Sequence, residues 1–431
     1  MTSTAAAPRT RFARALAWIW FRSLQREGAA VPPGPTLWVL NHPNGLLDAV
    51  VATAALPGSP RFLGKATLWQ VLVLKPLLAI FDPIPVHRRA DGDVGPDATA
   101  KTFAAVHEAL ARGDAVAIFP EGISHARREL APLKTGAARM VLSSPRPVQL
   151  VPAGLVYGER ERFRHSALVR VGTPIDYDDL RGRGAEPDAV ATLTGRIAEQ
   201  LRPLTLHGPD DAAQALAERL AWLLAEGPRE RAALAPLQAR VATLATRLRA
   251  LPPASLAAIE TRATQACDAL ARAGVRADQL GFAYDRATVA RWLPGFASRL
   301  LFAPLWLPLA LWCWPVYRLT GFVIGRLVLD LDVVATYKFL LGLVLFPAWL
   351  CASLVLAGVF GGVAGVLATL VAAAVAFVVL PLGERVGEDL QAIRGFAQRR
   401  NPRLQALAQE RDALLAAFPE LRDGGAPPLS R

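Results

Sequence analysis

The first stretch with residues able to do chemistry is Asn41–Asp48, in which five residues separate His42 from Asp48. The apolar run Leu37–Leu40 before it predicts a short buried strand. An imidazole can take a proton from an alcohol, and a nearby carboxylate fixes its tautomer and steadies the imidazolium. Because the octet contains no serine, the pair would activate a substrate hydroxyl directly. The alternative is a loop histidine followed by an aspartate that only caps a helix.

A second stretch, Phe119–His125, follows the apolar run Ala115–Ile118. A strand that runs into a Pro-Glu-Gly turn exposes backbone N–H groups, which can bind a phosphate. The carboxylate of Glu121 could hold substrate hydroxyls or fix a basic residue. The alternative is a surface turn in which Ser124 caps the next helix.

A third stretch, Ile84–Arg89, places two arginines after an apolar run. Guanidinium is a natural bidentate ligand of phosphate, although an arginine pair at a strand end is also a common surface feature. Lys65 and Lys134 occupy similar positions after apolar runs and could complete a basic rim. Val151–Gly154 ends another strand, where pocket lining and core packing explain it equally well.

The elements that must position these residues are short strands alternating with helical stretches. Continuous apolar strands between helices predict an α/β fold with a mainly parallel sheet buried on both faces by flanking helices. We predict one such domain over residues 30–205. Its predicted strands are Leu37–Leu40, Arg61–Leu63, Ile84–Val86, Ala115–Phe119, Gln149–Val156 and Ala167–Val171.

The chain before this domain, residues 1–29, combines five arginines with tryptophan and phenylalanine. Its apolar centre is too short for the roughly 20 residues that cross a bilayer, so we predict an amphipathic helix lying in the membrane interface. A signal peptide is the alternative. After the α/β domain, an Ala/Leu/Arg-rich pattern predicts a helical extension over residues 206–298.

Residues 299–383 predict a membrane region. Within it, residues 339–383 carry no charge over 45 positions and divide near Gly361-Gly362, which predicts a transmembrane hairpin. Residues 300–317 are also uncharged but contain three prolines, so they could form an additional span or a re-entrant segment. The arginines of the tail, residues 384–431, place it on the cytoplasmic side.

Composition agrees with a membrane location. The net charge of +12 predicts an anionic partner, such as a phospholipid surface or a phosphorylated substrate. Tryptophans beside the apolar segments favour lipid over nucleic acid, and no nucleic-acid-binding motif accompanies the basic residues. The three cysteines form no CxxC pattern, which argues against a disulfide framework or a zinc site and fits a reducing cytosolic face.

The sequence resembles the glycerolipid acyltransferases of the lysophosphatidate acyltransferase superfamily over residues 35–176. The resemblance is carried by four blocks in the family's order, Asn41–Asp48, Ile84–Arg88, Phe119–Ser124 and Val151–Gly154. The usual first block has four residues between His and Asp. The five found here resemble the variant in fungal glycerol-3-phosphate and dihydroxyacetone-phosphate acyltransferases, as do the stretch Leu130–Gly136 and a membrane-embedded C-terminal region. An aspartate, Asp82, stands where a glycine is commoner in the family.

The resemblance implies roles for individual residues. His42 would deprotonate the acceptor hydroxyl for attack on an acyl thioester, and Asp48 would orient His42. Arg88 would bind the acceptor phosphate, and Glu121 and Gly122 would shape that site. Further substrate-binding residues would be Ser124, Lys65 and Lys134. Direct attack needs neither a metal nor a cofactor, and acyl-CoA or acyl carrier protein would bring the acyl group as a substrate.

The function expected from these patterns is that of a membrane-bound O-acyltransferase facing the cytoplasm. Glycerol-3-phosphate or dihydroxyacetone phosphate is the first expected acceptor, followed by lysophosphatidate and then by broad lysophospholipid remodelling. The competing class is a non-catalytic lipid-binding scaffold with the same fold. Membrane transport would require more spans and polar groups inside them.

Overall fold

The computed structural model describes residues 6–86, 96–127, 130–205, 212–224, 234–277, 286–327, 330–398 and 400–417. The chain divides into two compact units. The first comprises Met1–Pro209 together with Ile324–Leu341, and the second comprises Asp210–Val323 together with Gly342–Arg431.

A seven-stranded sheet forms the centre of the first unit. Its strands are β1 (Phe21–Gly28), β2 (Thr36–Leu40), β3 (Arg61–Lys65), β4 (Ile84–Val86), β5 (Ala115–Ile118), β6 (Gln149–Tyr157) and β7 (His165–Val171). Their order is β1-β7-β6-β2-β5-β3-β4. The five strands from β6 to β4 are parallel, whereas β7 runs antiparallel to β6 and β1 runs parallel to β7. The predicted α/β class with a mainly parallel sheet is therefore confirmed.

Helices cover both faces of this sheet. They are α1 (Ala6–Trp20), α2 (Leu46–Ala55), α3 (Lys75–Phe81), α4 (Pro96–Ala111), α5 (Gly136–Leu142) and α6 (Pro187–Leu201), with short 3₁₀ helices at Ala66–Gln70, Leu72–Leu74, Asp178–Leu180 and Arg202–Leu204. Leu37 and Val39 of β2 lie in one buried cluster with residues of α4, α5 and α6. Because side chains alternate along a strand, Trp38 and Leu40 face the opposite side, and both are fully buried.

The N-terminal segment differs from the interfacial helix expected over residues 1–29. Helix α1 ends at Trp20, and Phe21–Gly28 form strand β1, which pairs with β7. The open edge of β7 needs partners for its N–H and C=O groups, and this tertiary demand overrides the local helical pattern. Leu16 and Trp20 are buried within the unit, while Trp18 and Ile19 point outward.

The second unit is helical, as predicted for the extension. Its helices are α7 (Ala212–Leu223), α8 (Leu234–Arg249), α9 (Pro253–Ala273), α10 (Arg286–Leu301), most of α11 (Ala303–Arg326), most of α12 (Leu331–Gln398) and α13 (Pro402–Ala417). Pro252 lies between α8 and α9, and α9 begins at Pro253.

Two of these helices, α11 and α12, are long and apolar enough to cross a membrane, judged by length and composition alone. Helix α12 is interrupted at Gly362, whose φ of 59° is left-handed. A Cβ added to Gly365 would lie 2.4 Å from the carbonyl oxygen of Ala357, eight residues earlier. A straight helix would separate residues eight apart by about 12 Å. The two arms of α12 therefore fold back on each other at the predicted Gly361-Gly362 turn.

Polar contacts hold the apolar helices of this unit together. The Trp312 indole N–H donates to Ser353 Oγ at 3.0 Å, and the Trp349 indole N–H donates to the Trp312 carbonyl oxygen at 3.0 Å. Asp389 is buried and accepts hydrogen bonds from Arg299 and from the Trp292 indole. Large apolar side chains along both arms, such as Val359 and Val371, remain exposed.

Candidate active site

The site is built at the carboxyl ends of the parallel strands. His42 follows β2, Phe119 follows β5, Lys65 ends β3 and Tyr157 ends β6. Parallel strands with a shared register end at the same edge of the sheet, which brings residues far apart in sequence onto neighbouring loops. The candidate site therefore lies at this edge of the sheet.

His42 on the β2–α2 loop forms a hydrogen-bonded pair with Asp48 in the first turn of α2. His42 Nδ1 lies 2.8 Å from Asp48 Oδ2, with the histidine side chain 20% exposed and the aspartate fully buried. The loop is anchored by Asn41, whose side-chain amide exchanges two hydrogen bonds, of 2.7 and 3.0 Å, with the backbone of Leu155 on β6. An extra residue between His and Asp is thus compatible with a closed pair.

The Asp48 carboxylate has two further donors. The backbone N–H of Asn44 donates to Oδ2 at 2.8 Å, and the Tyr157 hydroxyl donates to Oδ1 at 2.6 Å. Burial, followed by the charge of Asp48, raises the pKa of Tyr157 well above its ordinary value, so the phenol stays a neutral donor. The sequence analysis did not predict a role for Tyr157. Its signal was a tyrosine, which carries a polar hydroxyl, at the end of a buried strand.

This arrangement fixes the His42 tautomer. The Nδ1–H group donates a hydrogen bond to Asp48, so the lone pair lies on Nε2. Nε2 is therefore the atom that can accept a proton from the substrate. The imidazole also stacks on Phe119, with ring centroids 3.9 Å apart and planes within 3°. Stacking sets the plane of the ring, and the carboxylate sets its rotation. The pair can act as a general base toward a hydroxyl group.

Glu121 joins the second loop to the first. Its buried carboxylate accepts hydrogen bonds from the backbone N–H groups of His42 and Ala131, both at 2.8 Å, and pairs with His125 Nε2. In turn, the His125 N–H donates to the His42 carbonyl oxygen at 3.1 Å. Glu121 therefore shapes the site by tying loops together and by fixing a basic residue, and its carboxylate is enclosed rather than turned toward a substrate.

Gly122 and Lys134 lie against each other beside this loop. Gly122 has a left-handed φ of 73°, and a Cβ there would lie 2.5 Å from Lys134 Nζ, so the glycine makes room for the lysine chain. The Lys134 backbone N–H donates to the Pro120 carbonyl oxygen at 2.8 Å. The side chains of Lys134 and Lys65 are exposed at the strand-end edge, where cations could meet an anionic substrate.

Ser124 is partly buried and donates its hydroxyl to Asp332 Oδ2 at 2.5 Å. Arg88 lies outside the described residues, as does the rest of residues 87–95. The structure therefore brings His42, Asp48, Glu121, Gly122, Ser124 and Lys134 onto adjoining loops, with Lys65 on the same edge of the sheet.

Asp82, which departs from the family pattern, lies away from this edge. It pairs with Arg61 at 3.0 Å at the start of β3, whereas Lys65 marks the end of that strand. Its φ of 46° is left-handed and terminates α3, which explains why glycine is commoner there and why aspartate is tolerated. Among the described residues, no group of three or more His, Cys, Asp or Glu side chains could hold a metal ion.

Part of this chain is similar to known acyltransferases. Residues 24–156 match the family model described as Acyltransferase. Glycerol-3-phosphate O-acyltransferase 2 of Saccharomyces cerevisiae is 36% identical over 118 residues, covering 26% of this chain and 16% of the yeast protein. Glycerol-3-phosphate O-acyltransferase 1 of the same yeast is 38% identical over 115 residues, covering 24% and 15%.

An uncharacterized acyltransferase of Schizosaccharomyces pombe is 35% identical over 114 residues, covering 24% of this chain and 17% of that protein. The alignments thus cover less than a fifth of each curated relative. The solved PlsC 1-acyl-sn-glycerophosphate acyltransferase of Thermotoga maritima aligns with 46% of this chain and 79% of its own, at 16% identity and a TM-score of 0.35. Residues 24–156, which contain the four sequence blocks, thus match the acyltransferase family model, as the blocks predicted.

Proposed function

We propose that this chain is a membrane-bound O-acyltransferase that moves an acyl group from a thioester to a hydroxyl of a glycerol-3-phosphate-type acceptor. The observation that carries the proposal is the closed His42–Asp48 pair, with Nδ1 committed to the carboxylate and the ring partly exposed. A base of this kind acts on a substrate hydroxyl without a serine nucleophile or a resident cofactor.

The reaction proceeds by direct attack. His42 Nε2 takes the proton of the acceptor hydroxyl while its oxygen attacks the thioester carbonyl carbon. The C–S bond then breaks, an ester forms, and the leaving thiolate takes the proton from the imidazolium. Asp48 stabilises the imidazolium between these two transfers, and the Asn44 N–H and the Tyr157 hydroxyl keep the carboxylate in place.

Glycerol-3-phosphate or dihydroxyacetone phosphate is our first acceptor, ahead of lysophosphatidate. Two yeast relatives are named glycerol-3-phosphate O-acyltransferases, which supports this order, as do the exposed cations Lys65 and Lys134 at the site edge. Ser124 and Arg88 remain proposed contacts of the acceptor phosphate. Acyl-CoA or acyl carrier protein would deliver the acyl group from the cytosol.

We further propose that α11 and the hairpin of α12 anchor the protein in a phospholipid bilayer. Their length, their apolar composition and their exposed large side chains support this role. The arginines that follow the hairpin, Arg385, Arg394, Arg400 and Arg403, favour a cytoplasmic position for the tail and for the catalytic domain.

The test is acyl transfer by membranes that contain the wild type or His42→Ala. Radiolabelled glycerol-3-phosphate, dihydroxyacetone phosphate or lysophosphatidate is supplied with acyl-CoA or acyl carrier protein. We expect transfer to one glycerol phosphate acceptor and its loss in His42→Ala. His107→Gln is the matched control, because His107 bonds the Met140 carbonyl oxygen away from the site. No transfer with any donor and acceptor would favour the scaffold instead.

A further inference from the structure

The first turns of α12, which we call the clamp segment (residues 331–341), belong to the same compact unit as the catalytic loops. Several of its side chains are turned into this unit. Asp332, Ala335 and Phe339 are buried, and the Phe339 ring packs edge-on against Trp20 at 5.6 Å. Lys338 Nζ donates to the Glu161 carbonyl oxygen at 2.8 Å. The segment is therefore held at several points.

Thr336 contacts the loop that joins His42 to Asp48. Its Oγ1 accepts the backbone N–H of Leu46 at 3.0 Å and lies 3.5 Å from the carbonyl oxygen of Asn44. Leu46 is the first residue of α2, the helix whose first turn carries Asp48. The residue at the N-cap is Gly45, which has no side chain to satisfy the N–H groups of that turn. Thr336 supplies the missing cap from a distant part of the chain.

Gly45 is the residue that allows this approach. Its φ of 55° is left-handed, and a Cβ there would lie 2.6 Å from Thr336 Oγ1 and 3.2 Å from the Asp332 carbonyl oxygen. Any side chain at position 45 would push the clamp segment away. The five-residue spacing between His42 and Asp48 thus includes a glycine against which α12 packs.

Asp332 contacts the other catalytic loop. Its buried carboxylate accepts the Ser124 hydroxyl, three residues beyond the Glu121 that holds the His42 backbone. One turn of α12 therefore contacts both loops. Thr336 bonds the segment between His42 and Asp48, and Asp332 bonds the loop of Glu121.

We propose that Thr336 and Asp332 are positioning residues for acyl transfer, which fix the two catalytic loops relative to each other from the start of the apolar helix α12. The inference rests on the proposed function and deepens it. It assigns Ser124 to this clamp, in addition to or in place of a phosphate contact. Positioning at a distance matters because a displacement of about 1 Å in a catalytic group can cost on the order of 10²-fold in rate.

The experiment compares Thr336→Val and Thr336→Ser with the control Thr369→Val in membranes. Among the described residues, the Thr369 hydroxyl bonds its own helix, through the Gly365 carbonyl oxygen at 2.9 Å, so its loss leaves the loops untouched. We expect Thr336→Val to lower kcat about tenfold or more while the KM for the acyl donor changes less than twofold. Thr336→Ser, which keeps the hydroxyl, restores at least half of the wild-type kcat.

A second pair of variants separates the two roles of Ser124 and does not depend on the folding of Thr336→Val. If Ser124 acts only through Asp332, then Ser124→Ala, Asp332→Asn and the double variant lower kcat by the same factor. A contact between Ser124 and the phosphate would instead raise the acceptor KM in Ser124→Ala alone, with losses that multiply in the double variant.

The rate of His42 modification by diethyl pyrocarbonate, followed on its peptide by mass spectrometry, gives a readout that needs no turnover. We expect it to rise about threefold or more in Thr336→Val and in Asp332→Asn relative to Thr369→Val. Unchanged modification and unchanged kcat, in membranes where His42→Ala abolishes transfer, would overturn the clamp and leave the proposed function intact. Absence of transfer in the wild type would instead count against the proposed function.

Discussion

Two histidine–carboxylate pairs lie on neighbouring loops of one sheet edge, and they differ in what surrounds them. In the first, Asp48 holds His42, whose side chain is 20% exposed. In the second, Glu121 holds His125, whose side chain is 8% exposed. Residue type and pairing are alike in the two cases, so neither alone distinguishes a catalytic base from a structural contact.

The surroundings of the carboxylates make the distinction. Besides His42, the Asp48 carboxylate accepts the Asn44 N–H of the adjoining loop and the Tyr157 hydroxyl, and the imidazole that it orients reaches solvent. The oxygens of Glu121 accept backbone N–H groups from two separate loops, so this carboxylate joins chain segments. The two pairs thus differ in access to the imidazole and in the other groups that the carboxylate binds, and these differences favour His42 over His125 as the proposed base.

Removing the charge of Asp48 would have the largest effect on the first pair. Asp48→Asn keeps the shape but offers Nδ1 an amide, which no longer favours the Nδ1–H tautomer or steadies the imidazolium. We expect kcat for acyl transfer to fall about 10³-fold or more, with little change in the KM of either substrate. Steady-state kinetics on membranes measures this, and a loss below tenfold would remove the carboxylate from the mechanism.

Removing the charge of Glu121 tests the second pair. In Glu121→Gln an NH₂ group replaces one carboxylate oxygen. A backbone N–H that donated to that oxygen then faces another donor and has no acceptor. We expect the free energy of unfolding to drop by about 2–4 kcal/mol, with activity lost in proportion to unfolded protein. Denaturation in detergent, scored together with turnover per folded molecule, checks this. Wild-type stability with abolished turnover would instead give Glu121 a direct catalytic role.

A third histidine, His165, sharpens the comparison because its Nδ1 bonds the Ser166 carbonyl oxygen instead of a carboxylate. Burial lowers its pKa to about 4, below the value near 6.5 of the unfolded chain. The unfolded state therefore binds more protons between these values, and stability falls as pH falls through this window. We expect a loss of about 2 kcal/mol between pH 7 and pH 5.

The His165→Gln variant is the control for this pH dependence, because it has no imidazole to titrate. Unfolding midpoints measured from pH 7 to pH 5 should decline less steeply in the variant than in the wild type. Parallel declines would show that another group carries the effect.

The smallest expected effect concerns Tyr157. The Tyr157→Phe variant removes one donor from the buried Asp48 Oδ1 and leaves the ring in place. We expect turnover to fall about tenfold and stability to drop by about 1–2 kcal/mol. Phe21→Leu is a useful control, since Phe21 stacks on the Tyr157 ring without reaching the carboxylate. An equal loss of turnover in the control would assign the effect to packing.

Much of the sheet and the contact between His42 and Asp48 could be predicted from the sequence because their signals are local. Strand periodicity located all six predicted strands, and the apolar run before His42 placed it at a strand end. The Gly361-Gly362 pair similarly marked the reversal of α12, since a left-handed φ favours glycine.

The missed features depend on contacts between distant residues. Tyr157 lies 109 positions from Asp48, and Thr336 lies 290 positions from Leu46. No spacing rule in one sequence connects such pairs. Strand β1 was similarly hidden, because only the unpaired edge of β7 turns a helix-like segment into a strand.

The most direct test of the central distinction is acyl transfer per folded molecule by His42→Gln and His125→Gln, measured beside their thermal midpoints in detergent. Our account predicts that His42→Gln retains the wild-type midpoint and loses transfer almost completely. His125→Gln should melt at a lower temperature yet keep turnover within about threefold of the wild type. Full transfer by folded His42→Gln, or a stable but inactive His125→Gln, would contradict the assignment of His42 as the base and of His125 as a structural contact.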